Sequence, residues 1–131
     1  MSSKKRLFIP LITYTMVKDN PGELVISKKA YDRCVAGIIS GTGGVQPGML
    51  MGQKGTLADD EYSVALTGRV YCWADTSNGS IVLGYMLTTS DKPGHAMKVT
   101  DYSRGQGAIL GKAMSSLESD QGLVLALVTL Q

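Results

Sequence analysis

Carboxylates are the side chains in this sequence best suited to chemistry, and they occur in two clusters. Three adjacent acids, Asp59, Asp60 and Glu61, could bind a hard cation or supply a carboxylate pair for acid–base work. Glu118 and Asp120 form the second cluster, in an acidic and turn-rich stretch. Because runs of acids are usually solvated, a surface loop is the favoured interpretation of the first cluster.

No motif for a cofactor, a metal or a catalytic triad accompanies these acids. His95 follows Pro93 and Gly94 in a predicted tight turn, without a Ser, Cys or Asp at triad spacing, so we predict a structural role for it. The glycine-rich residues 41–44 lack the Lys-Ser/Thr and the helix of a phosphate-binding loop. A single histidine and two separated cysteines do not make a zinc site. The sequence therefore predicts no catalytic residue, no cofactor and no metal.

The two cysteines, Cys34 and Cys72, each lie within an apolar, strand-like run. This setting is typical of free thiols that pack as small hydrophobic side chains, so we predict that both are buried. A disulfide between them remains open, although one pair is not a disulfide framework.

Length and charge limit the classes of function. At 131 residues with a net charge of +2, the chain is expected to form one domain with its own core. The only basic cluster, Lys4 to Arg6, predicts a flexible tail over residues 1–6 and a single β-rich domain over 7–131. No apolar run reaches the ~20 residues of a membrane span, and no secretory signal is recognised. We predict neither a nucleic-acid nor a membrane partner, and the localisation stays open.

Turn signals that recur every eight to twelve residues predict an all-β fold, a compact barrel or sandwich of short strands and hairpins. The centre of the pattern is residues 83–99, a hairpin whose turn contains Pro93 and Gly94. Asn78-Gly79 predicts a second hairpin, and Gly68 a bulge. Residues 19–22 predict a turn, and residues 101–107 a polar loop. The remaining strands are predicted at residues 7–17, 23–27, 34–40, 49–51, 63–73, 107–114 and 123–130.

The last predicted strand, residues 123–130, is apolar at nearly every position. A strand of this composition is typical of one that is buried on both faces. We therefore expect that the fold cannot form without it.

Four stretches, residues 64–70, 93–97, 107–113 and 122–125, together resemble a known module. They are similar to β-rich C-terminal domains of phage tail-fibre and appendage proteins and of uncharacterised bacterial surface proteins. The resemblance covers residues 23–131 and implies a domain that ends a fibre and forms a homotrimer. Some members are self-cleaving intramolecular chaperone domains, classed as glutamic peptidases. Their cleavage junction and catalytic carboxylates have no counterpart here residue by residue, so the resemblance implies no catalytic residue.

Three functions follow from these observations. The first is a structural assembly module, a homotrimer that caps or registers a fibre. The second is an autoproteolytic peptidase that uses carboxylates of the two acidic clusters. The third is a glycan-binding domain in which Trp73, Tyr71 and Tyr85 serve as stacking platforms.

Apolar residues also replace expected polar ones around Gly84. The members of this family usually carry a polar residue or Pro before this glycine and Asp after it, whereas this chain has Leu83 and Tyr85. Apolar side chains on a turn cost solubility unless a partner covers them. We therefore predict that these residues form an interface through which the trimer joins a larger, engineered assembly that contains a second component. The open alternative is that they pack inside a natural trimer. The candidate interface residues are Leu11, Ile12, Tyr14, Ile81, Val82, Leu83 and Tyr85.

Overall fold

The computed structural model describes residues 11–42, 62–65 and 67–129 of the chain. Their strands are β1 Thr13–Val17, β2 Asn20–Ile26, β3 Val35–Thr42, β4 Tyr62–Ala65, β5 Thr67–Asp75, β6 Met86–Thr89, β7 Ala96–Lys98, β8 Ile109–Ala113 and β9 Gln121–Thr129. One short helix, α1 Tyr102–Gly105, lies between β7 and β8. The all-β prediction is confirmed. The predicted tail, the predicted strand at 49–51 and the acids at 59–61 lie outside the described residues.

Nine strands form two hydrogen-bonded layers. The first is a four-stranded sheet in the order β2-β1-β3-β4, and the second is a closed barrel in the order β5-β7-β6-β8-β9. In the first sheet β1 and β2 form a hairpin whose turn is Lys18 and Asp19. The turn predicted at residues 19–22 therefore begins one residue earlier, and Gly22, at φ 91°, lies within β2.

The barrel is built around the long pairing of β5 with β9, which is antiparallel and runs from Thr67↔Thr129 to Asp75↔Gln121 without interruption. Its register leaves no bulge at Gly68, so that prediction is wrong. The opposite edge of β9 pairs with β8, and β6 joins β8 to β7. A parallel contact at Ala74↔Ala96 then closes the barrel between β5 and β7.

The core of the barrel is filled by alternate residues of its strands. Every second side chain of a strand points to the same face, so the inner residues of β5 and β9 meet inside. The buried members of this core include Val70, Cys72, Ala74, Leu87, Leu110, Val124, Ala126 and Val128. Ile38 of β3 belongs to the same cluster, which shows that the first sheet packs against the barrel.

The prediction that the last strand is buried on both faces is wrong. Val124 and Val128 are fully buried, whereas Leu123 and Leu127 are exposed. The reason is that the wall of a barrel has an inner and an outer face, and nothing in the described chain covers the outer face of β9 at these positions. The apolar residues on the outer side of β9 are therefore exposed in the single chain and are not part of its core.

The hairpin at residues 83–99 is confirmed, since β6 and β7 pair antiparallel and the Ser90 N–H bonds to the His95 carbonyl at 3.0 Å. The hairpin predicted at Asn78-Gly79 is wrong. The Gly79 N–H donates to the Thr76 carbonyl at 2.9 Å, which makes a turn, but β5 pairs with β9 and β7 instead of the next strand, β6. The predicted loop at 101–107 contains α1, which the Asp101 side chain caps by accepting from the Arg104 N–H.

The start of β1 joins the two layers. The Trp73 N–H donates to the Leu11 carbonyl at 2.9 Å, and the Leu11 N–H donates to the Ile39 carbonyl. The Thr13 N–H bonds to the carbonyl of Gly94 in the β6–β7 turn. Backbone hydrogen bonds therefore connect the first sheet directly to the barrel.

Candidate self-association surface

The turn before β6 and the first residue of β6 expose four large apolar side chains, with only Gly84 between them. Leu83 is 64% exposed, and Val82, Tyr85 and Met86 are also exposed. The Tyr85 N–H donates to the Val82 carbonyl at 3.0 Å, and Gly84 takes a φ of 95°, which favours glycine. The Gly84 N–H also bonds to the Ala113 carbonyl, so this turn is attached to the end of β8. The predicted interface residues Val82, Leu83 and Tyr85 therefore share one anchored surface turn.

The other four predicted interface residues lie elsewhere. Tyr14 is 2% exposed and Ile81 is 1% exposed, so both belong to the core of a single chain. Leu11 and Ile12 are half-buried, and they pack against the barrel core and the first-sheet core respectively. Their burial removes Tyr14 and Ile81 from the candidate interface, whereas Leu11 and Ile12 lie outside the exposed turn and remain predictions.

Sequence reasoning missed a larger apolar surface on the outside of the barrel. Tyr71 of β5 is 50% exposed and lies opposite Leu125 of β9, while Leu123 and Leu127 of β9 are exposed on either side. These residues alternate with the buried ones along their strands. The continuous apolar run of β9 indicated this surface in the sequence. Only the closed barrel shows that half of the residues in that run face outward.

Strand register connects this surface to the turn before β6. Arg69 lies opposite Leu127, Leu127 opposite Lys112, and Lys112 opposite Met86. Because neighbouring strands are ~4.8 Å apart, this row crosses β5, β9, β8 and β6 over roughly 14 Å. We call the combined surface the outer apolar face. It consists of Tyr71, Val82, Leu83, Tyr85, Met86, Leu123, Leu125 and Leu127.

Charged residues lie within and beside the outer apolar face, basic near one end of β9 and acidic near the other. Arg69 and Lys112, both exposed, lie on either side of Leu127. At the opposite end of β9, Asp120 immediately precedes the strand and Glu118 is close by in sequence, and both are exposed. Six residues of strand separate the two ends, a distance of about 20 Å.

Of the acids in the peptidase hypothesis, Glu118 and Asp120 are described and both are exposed. Asp59, Asp60 and Glu61 lie outside the described residues. Asp120 lines an open cleft of 470 Å³ together with Asp75, whose carboxyl Oδ1 accepts from the Ser77 N–H at 2.9 Å. Within the described residues, no three His, Cys, Asp or Glu side chains are placed to hold a metal ion.

His95 lies beside Trp73, and Tyr85 lies beside Lys98. The Nδ1 atom of His95 lies 2.8 Å from the Pro93 carbonyl, and its ring centre lies 6.1 Å from that of Trp73. The Lys98 ammonium lies 4.8 Å from the centre of the Tyr85 ring. These contacts do not test the structural role predicted for His95, which remains a prediction.

The two cysteines are both free thiols in different environments. Cys72 is buried in the barrel as predicted, whereas Cys34 is half-buried, so the prediction of its burial is wrong. Burial raises the pKa of the Cys72 thiol to about 12. Because the thiolate is the reactive form, Cys72 is inert at neutral pH in the folded chain.

Thiol titration should therefore separate the two cysteines. With a disulfide reagent at pH 8, we expect one thiol of the folded protein to react, and the second only after denaturation. Cys34→Ser is the control, because it should remove the early reaction and leave the late one. Two thiols reacting at the same rate in the folded protein would contradict the burial of Cys72.

Comparison with known proteins found no matching protein family, no similar curated protein and no similar solved structure. In the described part of the chain, no helix has the length and apolar character needed to cross a membrane. Function must therefore be argued from the outer apolar face and the rest of the geometry.

Proposed function

We propose that this chain is a structural self-assembly module whose copies associate through the outer apolar face. The observation that carries the proposal is the number of large apolar side chains that β5, β9, the start of β6 and the turn at residues 82–85 expose, with Lys112 of β8 between Leu127 and Met86. Large exposed apolar patches on soluble proteins mark interaction sites. Tyrosine, methionine and arginine side chains are enriched in protein–protein interfaces, and Tyr71, Met86 and Arg69 belong to or border this face.

The energy of association requires the whole face. Full burial of one large apolar side chain contributes ~1.5–3 kcal/mol, and less where the side chain is already half-covered. Association costs ~4–15 kcal/mol in lost translational and rotational freedom. The three apolar side chains of the turn at residues 82–85 contribute at most ~4.5–9 kcal/mol, which offsets only the lower part of that range. The eight residues of the outer apolar face together can offset that cost, which is why we assign the interface to the face as a unit.

A second copy of the chain is the partner that the charges favour. The basic end at Arg69 and Lys112 complements the acidic end at Glu118 and Asp120. In a closed ring, the basic end of one copy meets the acidic end of the next, and every face is covered. The resemblance to trimeric fibre-terminating domains sets the proposed number of copies at three.

The mass of the protein in solution tests the proposal. At micromolar concentration, light scattering should give three times the chain mass of 13.9 kDa. The double variant Leu83→Lys with Tyr85→Asp should be a folded monomer, because it places charges at the centre of the interface. Met16→Lys is the matched control: Met16 is exposed on the first sheet, and its substitution should leave the mass unchanged.

Charge reversal tests the orientation of the copies. Arg69→Glu with Lys112→Glu should weaken assembly, as should Glu118→Lys with Asp120→Lys, because each places like charges together. The variant that carries all four changes should recover assembly, since the two ends are again complementary. If the wild-type protein is a monomer, the proposal is wrong. If the variant with all four changes assembles no better than either double variant, the head-to-tail arrangement is wrong.

A further inference from the structure

We infer that a cleft beside α1 binds a small oxyanion, a carboxylate or a phosphate, through Arg33 and Arg104. The cleft has a volume of 330 Å³ and is lined by Tyr31, Arg33, Ser103, Arg104 and Gln106. None of these residues belongs to the outer apolar face, so this inference does not depend on self-assembly.

Arg104 is held over a rigid aromatic platform. Its guanidinium carbon lies 4.5 Å from the centre of the Tyr31 ring, a cation–π contact. Tyr31 is buried, and its phenol oxygen accepts from the backbone N–H groups of Thr100 and Asp101, both at 3.0 Å. The Asn78 side-chain amide donates to the same oxygen at 3.2 Å. The ring under Arg104 is therefore fixed by three donors from two loops.

Arg33 is positioned by a tight backbone turn on the other wall of the cleft. The Asp32 N–H donates to the Thr89 hydroxyl at 2.8 Å, and the Val35 N–H donates to the Asp32 carbonyl. The Nε atom of Arg33 lies 3.5 Å from where a Cβ on Gly107 would stand. This is an ordinary van der Waals distance, so the Arg33 side chain packs beside the backbone of Gly107.

The two acids next to these arginines in sequence are engaged with backbone groups. A carboxyl oxygen of Asp32 accepts from the Cys34 N–H at 2.9 Å, and one of Asp101 accepts from the Arg104 N–H at 3.2 Å. Neither Asp32 nor Asp101 lines the cleft, whereas Arg33 and Arg104 both do. The cleft is therefore lined by two positive charges and no acidic side chain.

The chemistry of the lining residues selects the class of ligand. A planar guanidinium matches a carboxylate or phosphate with two parallel hydrogen bonds, and two such groups favour an anion. The Ser103 hydroxyl and the Gln106 amide add neutral donors. A volume of 330 Å³ is at the lower end of small-molecule sites, large enough for an oxyanion attached to a group the size of one sugar.

The test is a titration of the full-length protein followed by backbone amide NMR at constant ionic strength. Two probes are compared, inorganic phosphate and glucuronate, because a free phosphate and a sugar-borne carboxylate share the proposed chemistry. Saturable shifts at Arg33, Ser103 and Gln106 are expected, and the tighter probe identifies which source of oxyanion the cleft prefers.

Two substitutions test the assignment to the arginines. Arg104→Gln and Arg33→Gln should each raise the dissociation constant at least tenfold. The control Lys18→Gln, at an exposed lysine of the β1–β2 turn, should leave it unchanged. If an arginine variant proves unstable, Gln106→Glu, an exposed position, should abolish binding by placing a carboxylate in the cleft. Shifts that do not saturate with either probe, or equal loss in the Lys18 variant, would overturn the inference.

Discussion

A chain that lacks residues 122–131 should not fold. The deletion removes β9, which pairs with β5 along nine positions and with β8 on its other edge. It also removes Val124, Ala126 and Val128 from the barrel core. The two valines alone contribute ~3–6 kcal/mol of burial, against a total stability of ~5–15 kcal/mol for a typical domain. The measurement is a thermal melt by circular dichroism, in which the truncated chain should show no cooperative transition.

Two point variants distinguish loss of the core from loss of the outer surface. Val124→Asn places an amide inside the barrel, where we expect a loss of ~3 kcal/mol or more from the free energy of unfolding. Leu123→Asn, one residue earlier, lies on the outside and should cost less than ~1 kcal/mol in the monomer. A truncated chain that melts cooperatively, or equal costs for the two variants, would contradict the barrel topology.

Gly111→Ala should strongly destabilise the barrel, because an added methyl group has no room between β8 and β9. A Cβ at Gly111 would lie 2.2 Å from the Leu127 carbonyl oxygen and 3.0 Å from the Val128 Cα. Both contacts are to backbone, so β8 and β9 would have to separate to admit the methyl group. Overpacking of this kind costs ~1–3 kcal/mol or more, and we expect the upper end of that range. Chemical denaturation of both proteins measures the difference.

Gly122→Ala is the matched control for this substitution. It is also a strand glycine of the barrel, but its added Cβ would lie 3.1 Å from a methyl group of Leu117, the flexible end of a side chain. We expect a change below ~1 kcal/mol, because the leucine can move. If Gly111→Ala were as mild as this control, the close contact between β8 and β9 would be wrong.

Local sequence signals predicted those features that depend on backbone preference. Pro93-Gly94 marks a hairpin because proline restricts φ and glycine accepts φ 73°, and β6 and β7 form that hairpin. The strands around residues 23–27, 34–40 and 107–114 follow from β-branched and apolar runs between turns. The exposed turn at Val82 and Leu83 was predictable for the same reason, since apolar residues beside a glycine turn have no local partner.

Pairing between distant strands could not be predicted in this way. Asn78-Gly79 forms a turn, but β5 pairs with β9, about fifty residues later, because a closed barrel satisfies the backbone of both strands. The choice of partner depends on long-range contacts that no local pattern records. The burial of Tyr14 and Ile81 has the same origin, since each is covered by residues remote in sequence.

By itself, the sequence determined the all-β class, most strand positions and the central hairpin, because these depend on short-range preferences for φ, turn and alternation. Only the tertiary structure decided which face of each strand is the inside. In the tertiary structure Leu123 and Leu127 lie on the surface beside Tyr71, and Arg33 and Arg104 line the same cleft. The physical reason is that the burial of a side chain depends on which strands close around it in three dimensions. A side chain is buried only when strands far apart in sequence meet around it.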